Sequence, residues 1–508
     1  MVSSIGGSTL RVGGLASGMD IDGLVESLMQ AEKIPLQKME QDKIWMEWQR
    51  DAYRDVNTQM SEFESLMLDM KKSSTYNAKS TTSTQSDAIT ATASSSASSG
   101  AYSVEVTQLA SSAINVSSTG ISADAADKID ATASLASQEG KLGGTIPASL
   151  KFTTYHNGTE EHEIQIDAED SLNDVLKKIT DGDNGVRAFY DTQSDMVVIE
   201  RTGTGDYNEG GAEIDFSADT AAGGFFTNVL KLTDAEKGGT NAKFTYNGAI
   251  EMESKTNKTT LNGINFTFNN VTEGAANISV DNNTDAVMEK ITNFVTKYNE
   301  LIDSVNGKVT EKRNRDYQPL TVEQKEEMSE SEIELWEEKS KSGLLKSDST
   351  LTSGLSSMRQ NWYAEVDTGN EAYGHLSNIG IKTSTEYQDN GKLVIDEDKL
   401  RAALEDDSTA VYKLFSNNTE GNKGLINRLD DSVSNTMSTI KDRAGSTSST
   451  LQQYSLGKRL DDITTRMADF TDRLKMTEDR YWGQFSAMEQ AIQKMNQQSS
   501  YLSEQFGA

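Results

Sequence analysis

The chain is 508 residues long, carries a formal net charge of -31 and contains no cysteine. So acidic a balance excludes a binder of nucleic-acid phosphates or of an anionic membrane surface, and the missing thiols exclude a disulfide framework and a thiolate metal site. At 35% hydrophobic and 7% aromatic residues the supply of core is thin for a length that fits about two to four domains.

The start, MVSSIGGSTLRVGG, lacks the apolar core of a secretory signal, and no apolar run reaches membrane-spanning length. If the chain is exported, it uses another route. Next comes GGLASGMDIDGLVESLMQAEKIP, Gly13 to Pro35, whose Gly13 and Gly18 match the glycine spacing of a phosphate loop. Such a loop needs Lys and then Ser or Thr; Met19 and Asp20 stand there, and an aspartate repels phosphate. The stretch is therefore read as a turn leading into a helix capped by Asp20 or Asp22. A helical pattern follows from Leu24 to about Met70, with a predicted break at Pro35. Trp45, Trp48, Ala52, Val56, Met60, Phe63, Met67 and Met70 recur at steps of three or four, the pattern of a coiled-coil strand with a stutter between Trp48 and Met60.

From Ser73 to Gly100 the bias to Ser, Thr and Ala fits a flexible linker, yet Ile89, Ala91 and Ala93, then Tyr102, Val104 and Val106, alternate as two edge strands would. Both readings stand. The middle, about Ser117 to Asp281, is strand-rich: KFTTYHNGTEEHEIQI carries an Asn157-Gly158 hairpin signal, SLNDVLKKIT an amphipathic helix and GVRAFYDTQSDMVVIE a second hairpin. INFTFNNVTEGAANISVDNNTDAVMEKITNFV echoes that order, with Val175, Ile179 and Thr180 answered by Val287, Ile291 and Thr292. Two related small α+β domains are expected, the second feeding a long helix through Tyr298 to Val305. Beyond Lys308, TVEQKEEMSESEIELWEEKSKSG predicts one charged helix ended by Gly343, and GKLVIDEDKLRAALEDDSTAVYKLF a strand and then a helix. After Gly421 the chain reads as helix nearly to its end, interrupted from Gly445 to Thr450.

The sharpest periodicity is C-terminal, where Leu460, Met467, Leu474, Tyr481, Met488, Met495 and Leu502 recur every seventh residue. A second seam position, Ile463 and Phe470, shifts by one residue at Phe485 and Ile492. A seam of this kind needs an apolar partner, and the helix around Trp45 to Met70 is the candidate, which makes both termini one structural unit. The outermost turns, poorer in apolar residues, are expected to order only when subunits associate.

Catalytic and metal sites find little support. Ser17 sits in G-x-x-S-G, not on a nucleophile elbow. His156 and His162, with Glu161 or Glu163, flank one turn, where histidines are more often surface residues than ligands, and His375 stands alone. DGDNG at Asp181 opens like a calcium loop, but Val186 replaces the sharp-turn glycine and Thr192 the terminal glutamate. No catalytic residue, cofactor or metal is assigned.

Six stretches lie in order across almost the whole chain: GLASGMDIDGLVESLMQAEKIPL, AYSVEVTQLA at Ala101, YNELI at Tyr298, SGLLKSDSTL at Ser342, IGIKT with GKLVIDEDKL from Ile379, and YWGQFSAMEQAIQKMNQQSSYL at Tyr481. Together they resemble the FliD family of flagellar filament-cap proteins. Residues 117–255 carry no diagnostic motif. The resemblance implies an α+β chain whose antiparallel-sheet head domains are inserted between N- and C-terminal helices forming a coiled-coil leg. The expected division is a flexible N-terminus and terminal leg helix in 1–45, a helical leg domain in 46–78 with 286–460, head domains in 79–150 with 241–285 and in 151–240, and a heptad leg helix in 461–508. It further implies a homo-oligomer of five or six copies at the distal filament tip, exported by the flagellar apparatus. Expected partners are flagellin, the hook–filament junction proteins and an export chaperone on the C-terminal helix, with no nucleic acid and no membrane. Leg packing and oligomerisation fall to Trp45, Trp48, Val56, Met60, Phe63, Met67 and the seven heptad residues Leu460 to Leu502. A tip adhesin that binds surface glycans through its head, and a flagellin-like filament subunit, are the alternatives.

Overall fold

Asp20 sets where the first helix begins: its carboxylate accepts the Gly23 amide at 3.0 Å, and α1 (Ile21–Met70) then runs for 50 residues. The structure, a computed structural model, describes residues 18–506 except 157, 221–223, 233–235 and 387–388. The loop expected from Gly13 to Ser17, the flexible start expected before it, and Asn157 of the hairpin signal lie outside the described residues. The break predicted at Pro35 does not occur. Pro35 and Ala31 both lie on the exposed side, where water can reach the carbonyl that proline leaves without a donor.

After α1 come the single turn α2 (Ser73–Tyr76) and the strands β1 (Lys79–Ser83), β2 (Ile89–Ala93), β3 (Gly100–Gln108) and β4 (Ser112–Val116). Next are α3 (Leu135–Leu142), β5 (Ser149–Tyr155), β6 (Thr159–Gln165), α4 (Leu172–Asp181), β7 (Val186–Asp191), β8 (Met196–Thr204) and β9 (Ile214–Asp215). The strands close with β10 (Ala242–Tyr246), β11 (Ile250–Ser254), β12 (Lys258–Leu261), β13 (Ile264–Phe268) and β14 (Ala276–Asn282). The remainder is mainly helical: α5 (Thr284–Thr310), α6 (Val322–Glu326), α7 (Glu330–Ser340) and α8 (Ser349–Asn361), then the ribbon β15 (Ile381–Thr383) and β16 (Leu393–Ile395), and α9 (Glu397–Ser416). A small ribbon, β17 (Asn418–Thr419) and β18 (Asn422–Lys423), precedes α10 (Leu425–Ala444) and α11 (Ser455–Phe506). Contacts divide the chain into a helical unit, the part up to Tyr76 with Met288 onward, and a sheet unit, Asn77–Val287.

In the sheet unit the Ser/Thr-rich stretch is strand and not linker: β1 edges an antiparallel sheet ordered β1-β14-β3-β10-β11, and β2 edges a second ordered β12-β13-β2. Val104, Phe244, Phe266 and Ile278 belong to the core they share. A second core, with Leu150, Val175, Ile199 and Phe226, joins the sheets β4-β8-β7 and β6-β5-β9 to α3 and α4. Ile121, Ile129, Leu135 and Leu142 are buried in that second core, not with residues 79–110. The predicted repeat fails in its strands. β5 pairs with β6 as a hairpin, whereas β13 and β14 lie in different sheets; alternation marks a strand but does not choose its partner. The helical part of the echo does hold a common buried face, Val175 and Ile179 in one case, Val287 and Ile291 in the other.

In the helical unit α1 is a spine about 75 Å long. Two antiparallel helices cover it in succession. Along α10, Asp430 meets Lys71 at 2.6 Å, Ser434 meets Glu64 at 3.1 Å and the Ala444 carbonyl accepts from Arg54 Nε at 3.0 Å. α11 then takes over, since Arg54 also lies 5.5 Å from the Tyr454 ring and Glu32 accepts the Tyr481 hydroxyl at 3.0 Å. Between α10 and α11 the chain turns at Gly445, φ +65°, where a Cβ would come within 2.5 Å of the Tyr454 ring, so only glycine fits. The single charged helix predicted before Gly343 is two. Thr321 with Gln324 starts α6, and Ser329 with Glu332 starts α7, each a reciprocal capping box that restarts the helix.

Asp348 ties the unit together. It caps α8 through the Leu351 amide at 3.0 Å, accepts the Tyr53 hydroxyl of α1, and lies 3.0 Å from Arg443 of α10. Burial, and then the neighbouring carboxylate, push the Tyr53 phenol well above its ordinary range. Asp348→Ala orphans this buried hydroxyl and is expected to lower stability by about 1–3 kcal/mol, more than Tyr53→Phe, which leaves the carboxylate held by Arg443 and the cap. All five tryptophans belong to this unit, so denaturant unfolding followed by their fluorescence reads it. Equal midpoints for the two variants would contradict the assignment.

Candidate functional site

The residues singled out on α1 divide by position. Val56, Met60, Phe63 and Met67 are fully buried, and Phe63 stacks on Phe294 of α5 at 5.3 Å and lies 6.1 Å from Tyr298. Tyr298 and Phe294 both meet Trp362 edge-on, which continues the aromatic cluster to the end of α8. These four therefore form core of the helical unit. Trp45 and Trp48 are half-buried and lie elsewhere than on the heptad seam: Arg313 sits 3.9 Å over Trp45 and Lys341 4.9 Å over Trp48. Both cations come from the segment containing α6 and α7, whose Trp336 donates to the Gln318 carbonyl at 2.8 Å and packs edge-on against Tyr317. An indole face attracts a cation while the alkyl stem covers apolar surface, so polar chain here does the work expected of a hydrophobic partner.

The heptad line on α11 grades from buried to exposed. Leu460 and Leu474 are buried, Met467, Tyr481 and Met488 half-buried, and Met495 and Leu502 are 61% and 52% exposed. Leu474 closes a small core with Ile21, Val25 and Met29 of α1, flanked by Phe470, Tyr481, Trp482 and Phe485. Past that core the apolar stripe of α11 continues through Met495, Tyr501 and Leu502 without cover among the described residues. A stripe of this kind on a soluble helix is a surface for association.

In the sheet unit the two histidines have separate partners. His162 bonds Thr154 Oγ1 at 2.8 Å, and burial lowers its pKa; His156 Nδ1 lies 3.2 Å from Arg201, itself in a fully buried ion pair with Glu213. His162 is half-buried in the packing of the head, whereas His156 lies exposed at its surface. No helix among the described residues is long and apolar enough to cross a membrane.

Residues 239–497 match the family of the flagellar hook-associated protein 2 C-terminus, residues 17–113 that of its N-terminus, and residues 149–203 the flagellin hook IN motif. The last spans β5 to β8 with α4, where sequence reading found no diagnostic signal. A flagellar hook-associated protein 2 of Halalkalibacterium halodurans is 38% identical over 98% of this chain and all of its own. Another from Thermotoga maritima is 26% identical over 99% of this chain and 96% of its own. In fold, the chain is similar to the D1-D2-D3 domains of the flagellar cap protein FliD from Escherichia coli, with a TM-score of 0.55 and 22% identity over 81% of this chain and 99% of that one.

The burial gradient predicts a gradient of protection. Amide hydrogen exchange is expected to quicken along α11 from Leu460 toward Leu502 by several orders of magnitude; uniformly slow exchange to the C-terminus would show cover that this arrangement lacks.

Proposed function

Because the chain belongs to the flagellar hook-associated protein 2 family, we infer that it is the cap at the distal end of the bacterial flagellar filament, where it retains exported flagellin and promotes its folding and insertion. The observation that carries this is 38% identity to a family member over 98% of the chain, with family matches at 17–113 and 239–497, on a chain whose long helices α1 and α11 pack together. The work is mechanical and positional, and no covalent chemistry is assigned to any residue. No observation favours a glycan-binding tip adhesin or a flagellin-like filament subunit.

The finer parts of the reading are proposals. Several copies, five or six, associate into a plate of head units. The paired terminal helices serve as legs, closed by the core at Leu474, with Tyr481, Met488, Met495 and Leu502 as contacts to the filament end or to neighbouring copies. The core residues Val56, Met60, Phe63, Met67 and Leu460 hold the leg together, and Trp45 and Trp48 anchor the α6–α7 segment to it. Within the head, the two cores support a division near Ala110 and Thr240 in place of the boundary at 150. Flagellin and the hook–filament junction proteins are the partners, with an export chaperone on the exposed end of α11 before assembly.

Support comes from the gradient of burial: a leg that orders only on docking binds with less net free energy per contact area, so it can release and rebind as each subunit enters. Leu474→Asp, Tyr481→Asp, Met488→Glu and Met495→Glu should leave the sheet unit folded by circular dichroism while filaments fail to elongate and flagellin accumulates in the medium. Filaments of normal length in all four variants would refute the leg assignment.

A further inference from the structure

The N-terminal third of α1, the short helix α6 and α11 enclose a groove of about 750 Å³. Its floor is apolar, with Met29 and Leu474 buried and the Trp482 ring half-buried beside them. Its rim is acidic on all three sides: Asp22 and Glu26 from α1, Glu323, Glu326 and Glu327 at α6, and Glu478 from α11. Only Lys33 and Lys475 oppose these six, and each already faces a carboxylate, Glu323 and Asp472, at 3.5 Å. Just beyond the groove, burial and the charge of Glu323 hold the Glu40 carboxyl above its ordinary pKa, which marks the surplus of negative charge.

We propose that this groove is a docking site for an amphipathic helix of another protein that carries Lys or Arg on both sides of a short apolar stripe. Three features of the groove select that occupant. The carboxylates are spread along the rim, and no three such groups among the described residues converge closely enough to hold a metal ion, so the matching positive charge must be spread as well. The floor accepts one or two apolar side chains, which a free polyamine or a purely basic strand does not supply. The walls are helices, and a helix laid in such a groove sets an apolar pair at i and i+4 on the floor while its cations reach both rims. An acidic or neutral helix would leave the rim charges desolvated and unmatched. This inference goes beyond the cap reading and does not depend on it.

The probe is an 18-residue helical peptide with a leucine stripe flanked by lysines, and its counterpart with glutamates, measured by fluorescence anisotropy against the full chain. The lysine peptide is expected to bind in a salt-dependent way and the glutamate peptide to bind at least about tenfold more weakly. Reversal on one wall, E323K/E326K/E327K, and on the two others, E26K/E478K, should each weaken the lysine peptide about tenfold or more. The same charge change on the exposed face of α7, E330K/E334K/E338K, should leave it within about twofold. Circular dichroism confirms that each variant is folded. Equal losses from groove and α7 variants would mean attraction to net charge alone, and no loss would mean binding elsewhere; either overturns the proposal. So would groove variants that dissolve a self-association seen by sedimentation while leaving peptide binding unchanged, since the occupant would then be a second copy.

Discussion

A solitary helix of fifty residues with one apolar stripe is not stable in water, and the rest of the helical unit answers that constraint on α1. No single partner satisfies it. α10 covers the C-terminal part, α11 the N-terminal part, Phe294 and Tyr298 of α5, backed by Trp362 just past α8, fill the flank at Phe63, and cations of the α6–α7 segment cover the indoles between. Because the partners come from the far end of the chain, both termini belong to one unit. The sheet unit is therefore an insertion in the sequence of the helical unit, entered after Tyr76 and left along α5.

How much of this could be read beforehand depended on whether the signal was local. Helical period, the heptads of α11, the Asp20 cap and the break at Gly445 are local, and the structure contains all four. Pro35 misled because a proline's effect depends on which side of the helix faces water, and that is decided by α11. The two capping boxes at Thr321 and Ser329 were legible in the residues themselves and divide what overall charge suggested was one helix. Contacts such as Tyr53 with Asp348, or Trp45 with Arg313, join residues hundreds of positions apart and leave no local mark. The flagellin hook IN stretch stayed silent for a related reason, since hairpin, helix and hairpin is a common local pattern.

The same long-range arrangement gives the acidic composition a location. Much of the charge surplus of the α6–α7 segment falls where it lines a groove or keeps a helix solvated, while two of its cations, Arg313 and Lys341, lie over tryptophans. Charge and aromatic surface thus trade places along α1. Where apolar partners run out, Arg313 and Lys341 stand in for them, and where α11 loses contact, its stripe is left for whatever the protein is assembled against.

The turn at Gly445 bears on mechanics. α10 and α11 run in the same direction along α1, yet their hydrogen-bond ladders are not continuous, because the chain leaves α-helical geometry between Ala444 and Ser455. A bend in α11 is therefore not passed to α10 through one hydrogen-bond ladder; it meets a packed corner, where the Tyr454 ring closes on Gly445 and the Ser446 amide donates to Ser449 Oγ at 2.9 Å. The core built on Phe63, Tyr298 and Asp348 and the open stripe of α11 are thus joined through a corner and not along one rod, so the direction of α11 is set where it leaves Tyr454.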